Sequence, residues 1–198
     1  LAHHKEQILG TLQRLEGARC SACSASLCSH QILLNLVLGQ QDGPRCLECL
    51  AMSVNRDHLE LREELVAYIL DKKHLSSIWR GINLQETGKT QVKPTCLWND
   101  RLRKTSPLGH PVLPPRLQKK KAENVSETIA AVWDAGDLGY WDLLLALRSR
   151  LAALDPGQVF ILTAHDPGVP ENLPDWCRMS GHDLIEARQP DYWIRRRT

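Results

Sequence analysis

The spacing of the cysteines near the N-terminus constrains this chain more than any other feature of its sequence. Five of its seven cysteines lie between residues 20 and 49, and four of them form two Cys-x-x-Cys pairs, Cys20 with Cys23 and Cys46 with Cys49. A gap of two residues lets one tight turn direct two thiolates at the same ion. Two such pairs predict a tetrahedral four-thiolate site, and zinc is the metal we predict there.

Two further side chains leave the ligand set open. Cys28 and His30 lie between the pairs, and either could replace one of the four cysteines as a ligand. An iron–sulfur cluster is the alternative cofactor, because five thiolates and a histidine exceed what zinc requires. A redox disulfide, or buried cysteines without a metal, are the remaining interpretations. A closed four-thiolate site has no coordination position for a substrate, so we expect its role to be structural.

The first 84 residues predict a small helical domain. Apolar residues recur at helical spacing over residues 8–15, 30–38 and 57–72, and residues 76–82 add a turn or two. Asp57 and Glu60 have the N-cap and N3 spacing of a capping box. About 84 residues of short helices bury little apolar surface, so a bound metal would help this domain to fold.

Residues 85–126 are typical of a basic linker rich in proline. The net charge of the whole chain is +2, yet between residues 91 and 121 eight Lys or Arg residues face a single acidic residue, Asp100. This distribution argues against a nucleic-acid-binding face on either end domain, and nucleic-acid binding through the metal domain and linker is a further alternative. The triplet Cys96-Leu97-Trp98 predicts a short anchor packed onto one of the domains.

Residues 127–198 predict an α/β domain, so the fold class of the chain is α plus α/β. Short apolar runs alternate with helical patterns in the order β-α-β-α-β-β. Turn sequences such as Asp155-Pro156-Gly157 separate these elements. The order predicts a two-layer sandwich, with two helices on one face of a sheet.

This C-terminal region resembles the TusA (SirA-like) family of sulfur carriers, whereas residues 1–125 resemble no family that we recognise. The resemblance covers about a third of the chain, from about residue 129 to its end. The sequence runs that carry it are Trp133-Asp134-Ala135, Pro156-Gly157, Asp166-Pro167, Leu173-Pro174-Asp175-Trp176-Cys177, Gly181-His182-Asp183-Leu184 and Tyr192-Trp193-Ile194-Arg195-Arg196.

The resemblance implies a sulfur carrier whose nucleophilic cysteine opens the first helix in a Cys-Pro-x-Pro run. The matching positions here are residues 140–143, where Tyr140 replaces the cysteine and neither proline is present. A phenol cannot hold a sulfane sulfur, so we expect no catalytic residue at this position. We expect Tyr140, Trp141 and Asp142 at an exposed helix start, where the aromatic pair would contact a protein partner. The alternative is that the two rings fold back over the sheet.

These features together favour an accessory or binding protein over an enzyme, and we expect it to dock on a larger protein partner. The alternative is a working sulfurtransferase whose thiol comes from the N-terminal cluster, from Cys96 or from Cys177. No uncharged apolar run approaches the roughly 18 residues of a membrane helix. The Cys-x-x-Cys pairs and the lack of a visible secretory signal predict a cytoplasmic location.

Overall fold

The computed structural model describes residues 2–90, 93–98 and 129–197. The chain divides into two compact units, Leu1–Val112 and Leu113–Thr198, and each is described by itself. Most of the predicted linker, residues 85–126, lies outside the described residues.

None of the described helices of the chain is long and apolar enough to cross a membrane.

All of the named secondary-structure elements of the first unit are helices. The helices of this unit are α1 (Ala2–Arg14), α2 (Ser29–Val37), α3 (Leu47–Ser53), α4 (His58–Asp71), α5 (Lys73–Thr87) and α6 (Thr95–Trp98).

Helix α4 begins where its sequence predicts. The Asp57 carboxylate accepts hydrogen bonds from the backbone N–H groups of Leu59 (2.9 Å) and Glu60 (3.0 Å). These bonds satisfy donors that have no partner within the helix. The N–H of Glu60 also lowers the pKa of the Asp57 carboxyl group. The N-terminal cap that the Asp57 and Glu60 spacing predicts is therefore confirmed.

Two helices of this unit exceed what the sequence pattern predicts. Helix α5 runs over fifteen residues rather than a turn or two, because the buried side chains of Leu75, Ile78, Trp79 and Ile82 extend its apolar face. Helix α3 is not predicted at all. Its seven residues are too few for a clear period, although Leu47, Leu50 and Ala51 are buried.

The Cys96-Leu97-Trp98 triplet forms α6 and packs onto the first unit. The Leu97 side chain is fully buried, and its carbonyl accepts a hydrogen bond from the Arg62 guanidinium at 3.1 Å. The same guanidinium lies over the Trp98 ring, 4.7 Å from its centroid. The predicted anchor is therefore confirmed.

The second unit has the predicted element order. The elements are β1 (Ile129–Asp134), α7 (Tyr140–Ala152), β2 (Val159–Thr163), α8 (Val169–Ser180), β3 (Asp183–Arg188) and β4 (Asp191–Arg195). The sheet has the strand order β1-β2-β4-β3, in which β1 and β2 are parallel and the other two pairings are antiparallel.

Burial alternates along the central strands of this sheet. Phe160 and Leu162 on β2 are buried, as are Tyr192 and Ile194 on β4. Ile161 and Trp193, which alternate with them, are less buried. The register pairs Ile161 with Trp193 on β4 and with Val132 on β1. Val132, on the edge strand β1, is 67% exposed. One face of the sheet therefore carries the core, and the other presents apolar side chains at its surface.

His182, between α8 and β3, makes the second unit sensitive to acid. Burial and the charges of Arg148 and Arg196 lower its pKa to about 4. An unfolded histidine titrates near 6.5, so between about pH 6.5 and pH 4 the unfolded chain binds a proton that the folded chain excludes. Stability is therefore lost as the pH falls through this window.

We predict that His182→Gln removes this acid sensitivity. Between pH 7 and pH 4 the wild-type unit should lose up to about 3 kcal/mol more stability than the variant. Hydrogen exchange of β2 and β4 peptides, measured across this pH range, tests the prediction. His165→Gln, at an exposed histidine of the same unit, is the matched control and should behave as the wild type. Equal acid sensitivity of His182→Gln and the wild type would contradict the assignment.

Candidate metal centre

The first Cys-x-x-Cys pair lies in a tight turn that its own backbone holds. The N–H of Cys20 donates to the carbonyl of Ala25 (2.8 Å), and the N–H of Ser24 donates to the carbonyl of Cys20 (2.9 Å). Ser24 adopts a positive φ of 61°, which reverses the chain directly after Cys23. Both thiols of this pair therefore project from one loop.

The second pair lies at the start of α3. Cys46 is the N-cap residue of this helix, and its carbonyl accepts the N–H of Leu50 at 2.8 Å. Cys49 follows in the first helical turn. Helical geometry places residues three apart on one face, so the thiols of Cys46 and Cys49 project to the same side.

Hydrogen bonds fix the two pairs against each other. The N–H of Ser21 donates to the carbonyl of Pro44 (2.9 Å), and its hydroxyl donates to the carbonyl of Gly43 (2.8 Å). The buried Asn35 side chain of α2 accepts the N–H of Arg45 (2.9 Å) and donates to the carbonyl of the same residue (2.7 Å). The backbone that leads into Cys46 is thus held from both sides.

The four sulfur atoms meet at the spacing of a tetrahedral site. All four Sγ atoms lie within 4.8 Å of one another, and Cys23 Sγ lies 3.7 Å from Cys46 Sγ. Zinc–sulfur bonds of about 2.3 Å in a tetrahedron separate the sulfurs by about 3.8 Å. Cys20, Cys46 and Cys49 are at most 4% exposed. Cys20, Cys23, Cys46 and Cys49 could therefore hold a metal ion, as their spacing predicts.

The pKa values of these thiols indicate that a bound ion would have to stabilise their thiolate forms. Burial opposes the Cys20 thiolate, but the backbone N–H groups of Cys46, Cys23 and Ala22 outweigh burial and lower its pKa to about 7. Burial raises the pKa of Cys46, and raises that of Cys49 to about 12. Buried thiols this close cannot all ionise alone, whereas a bound divalent cation would stabilise four thiolates together. The donor set fits a closed structural site.

Cys28 and His30 belong to a different cluster. The structure places them with Cys96, with the three ligand atoms within 4.8 Å of one another, apart from the four-cysteine site. The prediction that either residue could replace one of the four cysteines is therefore wrong. Cys28 is the N-cap of α2 and His30 lies in its first turn, where the His30 ring packs against Trp79 of α5, with 4.6 Å between ring centroids.

Sequence reasoning missed two members of this second cluster. Glu86 Oε2 lies 3.1 Å from His30 Nδ1, and Asn83 Oδ1 lies 2.9 Å from His30 Nε2. Both residues are more than fifty positions from His30 along the chain, so no local spacing could connect them. Cys96 was identifiable only through its unusual Cys-Leu-Trp context.

The structure corrects the prediction of an exposed aromatic surface at the start of α7. Helix α7 does begin at Tyr140, directly after Gly139, but Tyr140 and Trp141 are only 7% and 8% exposed. The expectation that they present apolar surface is therefore wrong, and the alternative, in which the rings fold inward, describes the structure. Tyr140 packs beside Gly168, where an added Cβ would lie 3.9 Å from that of Tyr140. Asp142 alone of the three remains exposed.

The cysteine of the second unit is not available for chemistry. Cys177, on α8, is 1% exposed. Burial, with a smaller contribution from Asp183, raises its pKa. A protonated thiol without access to solvent is a poor nucleophile, so Cys177 serves as a packed apolar residue.

Comparison with known proteins finds relatives for one part of the chain. Over 77 residues, 37% of its length, the chain is 27% identical to the sulfur carrier protein TusA of Pseudomonas aeruginosa and 29% identical to TusA of Pseudomonas syringae pv. tomato. The matches span 98% and 92% of those proteins. The chain contains a TusA-like region. The resemblance inferred from the C-terminal motifs is confirmed, and no protein-family model matches the chain.

The four-cysteine site yields a direct prediction for the first unit. Replacing Cys20 and Cys46 together by Ser should abolish metal binding there and unfold the helices of residues 2–90, because structural zinc sites contribute about 10–16 kcal/mol. Metal analysis and far-UV circular dichroism of the full chain measure both effects. Exchange protection of β2 and β4 should persist. Cys177→Ala is the matched control and should keep both metal and helices. Native helicity in the metal-free double variant would contradict a structural role.

Proposed function

We propose that the protein is an accessory or binding protein in which a zinc-stabilised helical unit accompanies a TusA-like region that has lost the carrier nucleophile. It would dock on a larger protein partner, in the cytoplasm. A metal held by four thiolates supports a structural role for the first unit, because such a site offers no open coordination position.

The start of α7 is the observation that carries this proposal. Cys-Pro-x-Pro cysteines of the TusA family correspond to Tyr140, and the structure places this residue at the first position of the helix, with a buried ring. A thiol at that position would meet the unbonded N–H groups of the first turn, which favour a thiolate. Tyr140 has no thiol that could carry sulfur, and its ring is buried away from solvent.

The outer face of the sheet supports a docking role. Val132, Ile161 and Trp193 are aligned across three adjacent strands by the sheet register. Ile129, also on β1, is 54% exposed. Exposed apolar side chains on an edge strand favour contact with another protein surface. We place the partner contact on this face because the rings of Tyr140 and Trp141 are buried.

A photo-crosslinking amino acid can locate the contact. Introduced at Val132, it should give a covalent adduct with one protein partner in cells that express the full chain. The same amino acid at Ser149, exposed on α7, is the matched control and should give none. A third site at Asp142 tests the helix start directly. An adduct at Asp142 or Ser149 but not at Val132 would move the contact off the sheet face.

A second candidate function is sulfur transfer at Cys28. The neighbouring Cys96 thiol donates to its sulfur and, with His30, outweighs the opposing effect of burial, so that the pKa of Cys28 falls to about 5. The lowered pKa favours the thiolate form of Cys28, and this side chain is partly exposed. This cysteine, rather than Cys177, is the one that would accept a sulfane sulfur if the protein is a carrier.

Persulfide mapping distinguishes the two functions. The metal-loaded full chain is incubated with a sulfane-sulfur donor, and its cysteines are analysed by alkylation and mass spectrometry. We expect no persulfide on Cys177 or Cys28. TusA of Pseudomonas aeruginosa, treated in parallel, is the positive control for the donor. Stoichiometric labelling of Cys28 that Cys28→Ser abolishes would replace the accessory role with a carrier role.

A further inference from the structure

The second cysteine–histidine cluster lies where three helices of the first unit meet. Cys28 and His30 come from the start of α2, and Cys96 comes from α6. The two Sγ atoms and a ring nitrogen of His30 lie within 4.8 Å of one another. His30 is fully buried, whereas both cysteines are partly exposed. Two soft donors and one imidazole therefore converge at one point.

Glu86 of α5 lies beside His30, next to the three residues whose ligand atoms all lie within 4.8 Å of one another. Its Oε2 atom lies 3.1 Å from His30 Nδ1, and its Oε1 atom accepts the backbone N–H of Ser29 at 3.2 Å. One carboxylate oxygen is thus held by the backbone while the other faces the cluster. The Glu86 side chain is 30% exposed. The carboxylate therefore keeps contact with solvent and is not a fully buried charge.

The distances match those between ligands of one tetrahedral ion. Cys96 Sγ lies 3.5 Å from His30 Nδ1. Zinc bonds of about 2.3 Å to sulfur and 2.0–2.1 Å to nitrogen or oxygen separate S from N by about 3.5 Å and N from O by about 3.3 Å. The observed distances of 3.5 and 3.1 Å agree with these spacings.

The His30 ring is oriented as a metal ligand would be. Its Nε2 lies 2.9 Å from Asn83 Oδ1, an amide oxygen that can only accept, so Nε2 carries a proton. Nδ1 faces Cys96 Sγ and Glu86 Oε2, and a proton on Nδ1 is donated to the Glu86 carboxylate, so a metal bound at Nδ1 would replace that proton. Histidine ligands ordinarily donate their second N–H to such an acceptor, which fixes the tautomer and the ring plane. The edge contact with Trp79 holds the ring from another side.

Charge also favours a cation at this point. Two thiols lie there beside the Glu86 carboxylate, and two thiolates this close to a carboxylate would repel one another unless a cation lay between them. A divalent ion would balance most of that charge and release the thiol protons. Thiolate, imidazole and carboxylate together are ligands that zinc accepts.

We propose that Cys28, His30 and Cys96 form a second zinc site, distinct from the four-cysteine site, in which the Glu86 carboxylate beside His30 Nδ1 would complete the coordination. Zinc there would tie α6, which follows a segment outside the described residues, to α2 and α5. The Leu97 contact positions α6, and the metal would fix it.

Metal stoichiometry of the full chain tests this proposal. Native mass spectrometry and elemental analysis of protein prepared with zinc should find two zinc ions per chain. Cys28→Ser and Cys96→Ser should each reduce the count to one and leave the helicity of the first unit in place. Cys177→Ala is the matched control and should retain two ions.

A fourth variant keeps the test valid if a cysteine variant fails to fold. Glu86→Gln preserves the shape of the side chain but removes its charge, and it should release one zinc to a chelator about tenfold faster or more. Cobalt substitution supplies an independent readout: the absorbance difference between wild type and Cys96→Ser should show a tetrahedral ion with thiolate ligands. One zinc per wild-type chain, with Cys28 and Cys96 either free, persulfidated or joined as a disulfide, would overturn the proposal.

Discussion

The convergence of four thiols is the constraint on which the first unit depends. Cys20 and Cys23 belong to a turn before α2, and Cys46 and Cys49 belong to the start of α3. Bringing these two segments together encloses α2, whose residues Ile32, Leu33 and Leu34 are almost completely buried. The buried polar side chain of Asn35, near the end of α2, holds the chain that enters the second pair. A unit of this size buries little surface, so a metal at this junction would supply much of its stability.

The second unit reaches its stability differently. Its sheet carries a core of Phe160, Leu162, Tyr192 and Ile194, and α7 and α8 contribute further buried residues. Nothing in this core depends on a reactive group. The start of α7 is filled by Tyr140 and Trp141, an aromatic pair that adds to the buried surface.

The described cysteines separate by environment into three kinds. Four form a buried cluster whose backbone donors and mutual repulsion suit a cation. Two others, Cys28 and Cys96, meet an imidazole and a carboxylate. Cys177 is buried, which raises its pKa and keeps it a thiol. Residue type alone does not distinguish these roles, because the pKa of a thiol depends on burial, on nearby N–H groups and on neighbouring charges.

Sequence spacing by itself determined the parts of this protein that are local along the chain. The Cys-x-x-Cys pairs, the cap at Asp57, the order of strands and helices in the second unit and the TusA-like motifs all depend on residues a few positions apart. Helix α3 and the full length of α5 were not predicted, because the buried face of each is defined by neighbours distant in sequence. Only the tertiary structure separated Cys28 and His30 from the four-cysteine site and joined them to Glu86 and Cys96. It also turned Tyr140 and Trp141 inward, because the space that two rings occupy is set by packing rather than by their position in a motif.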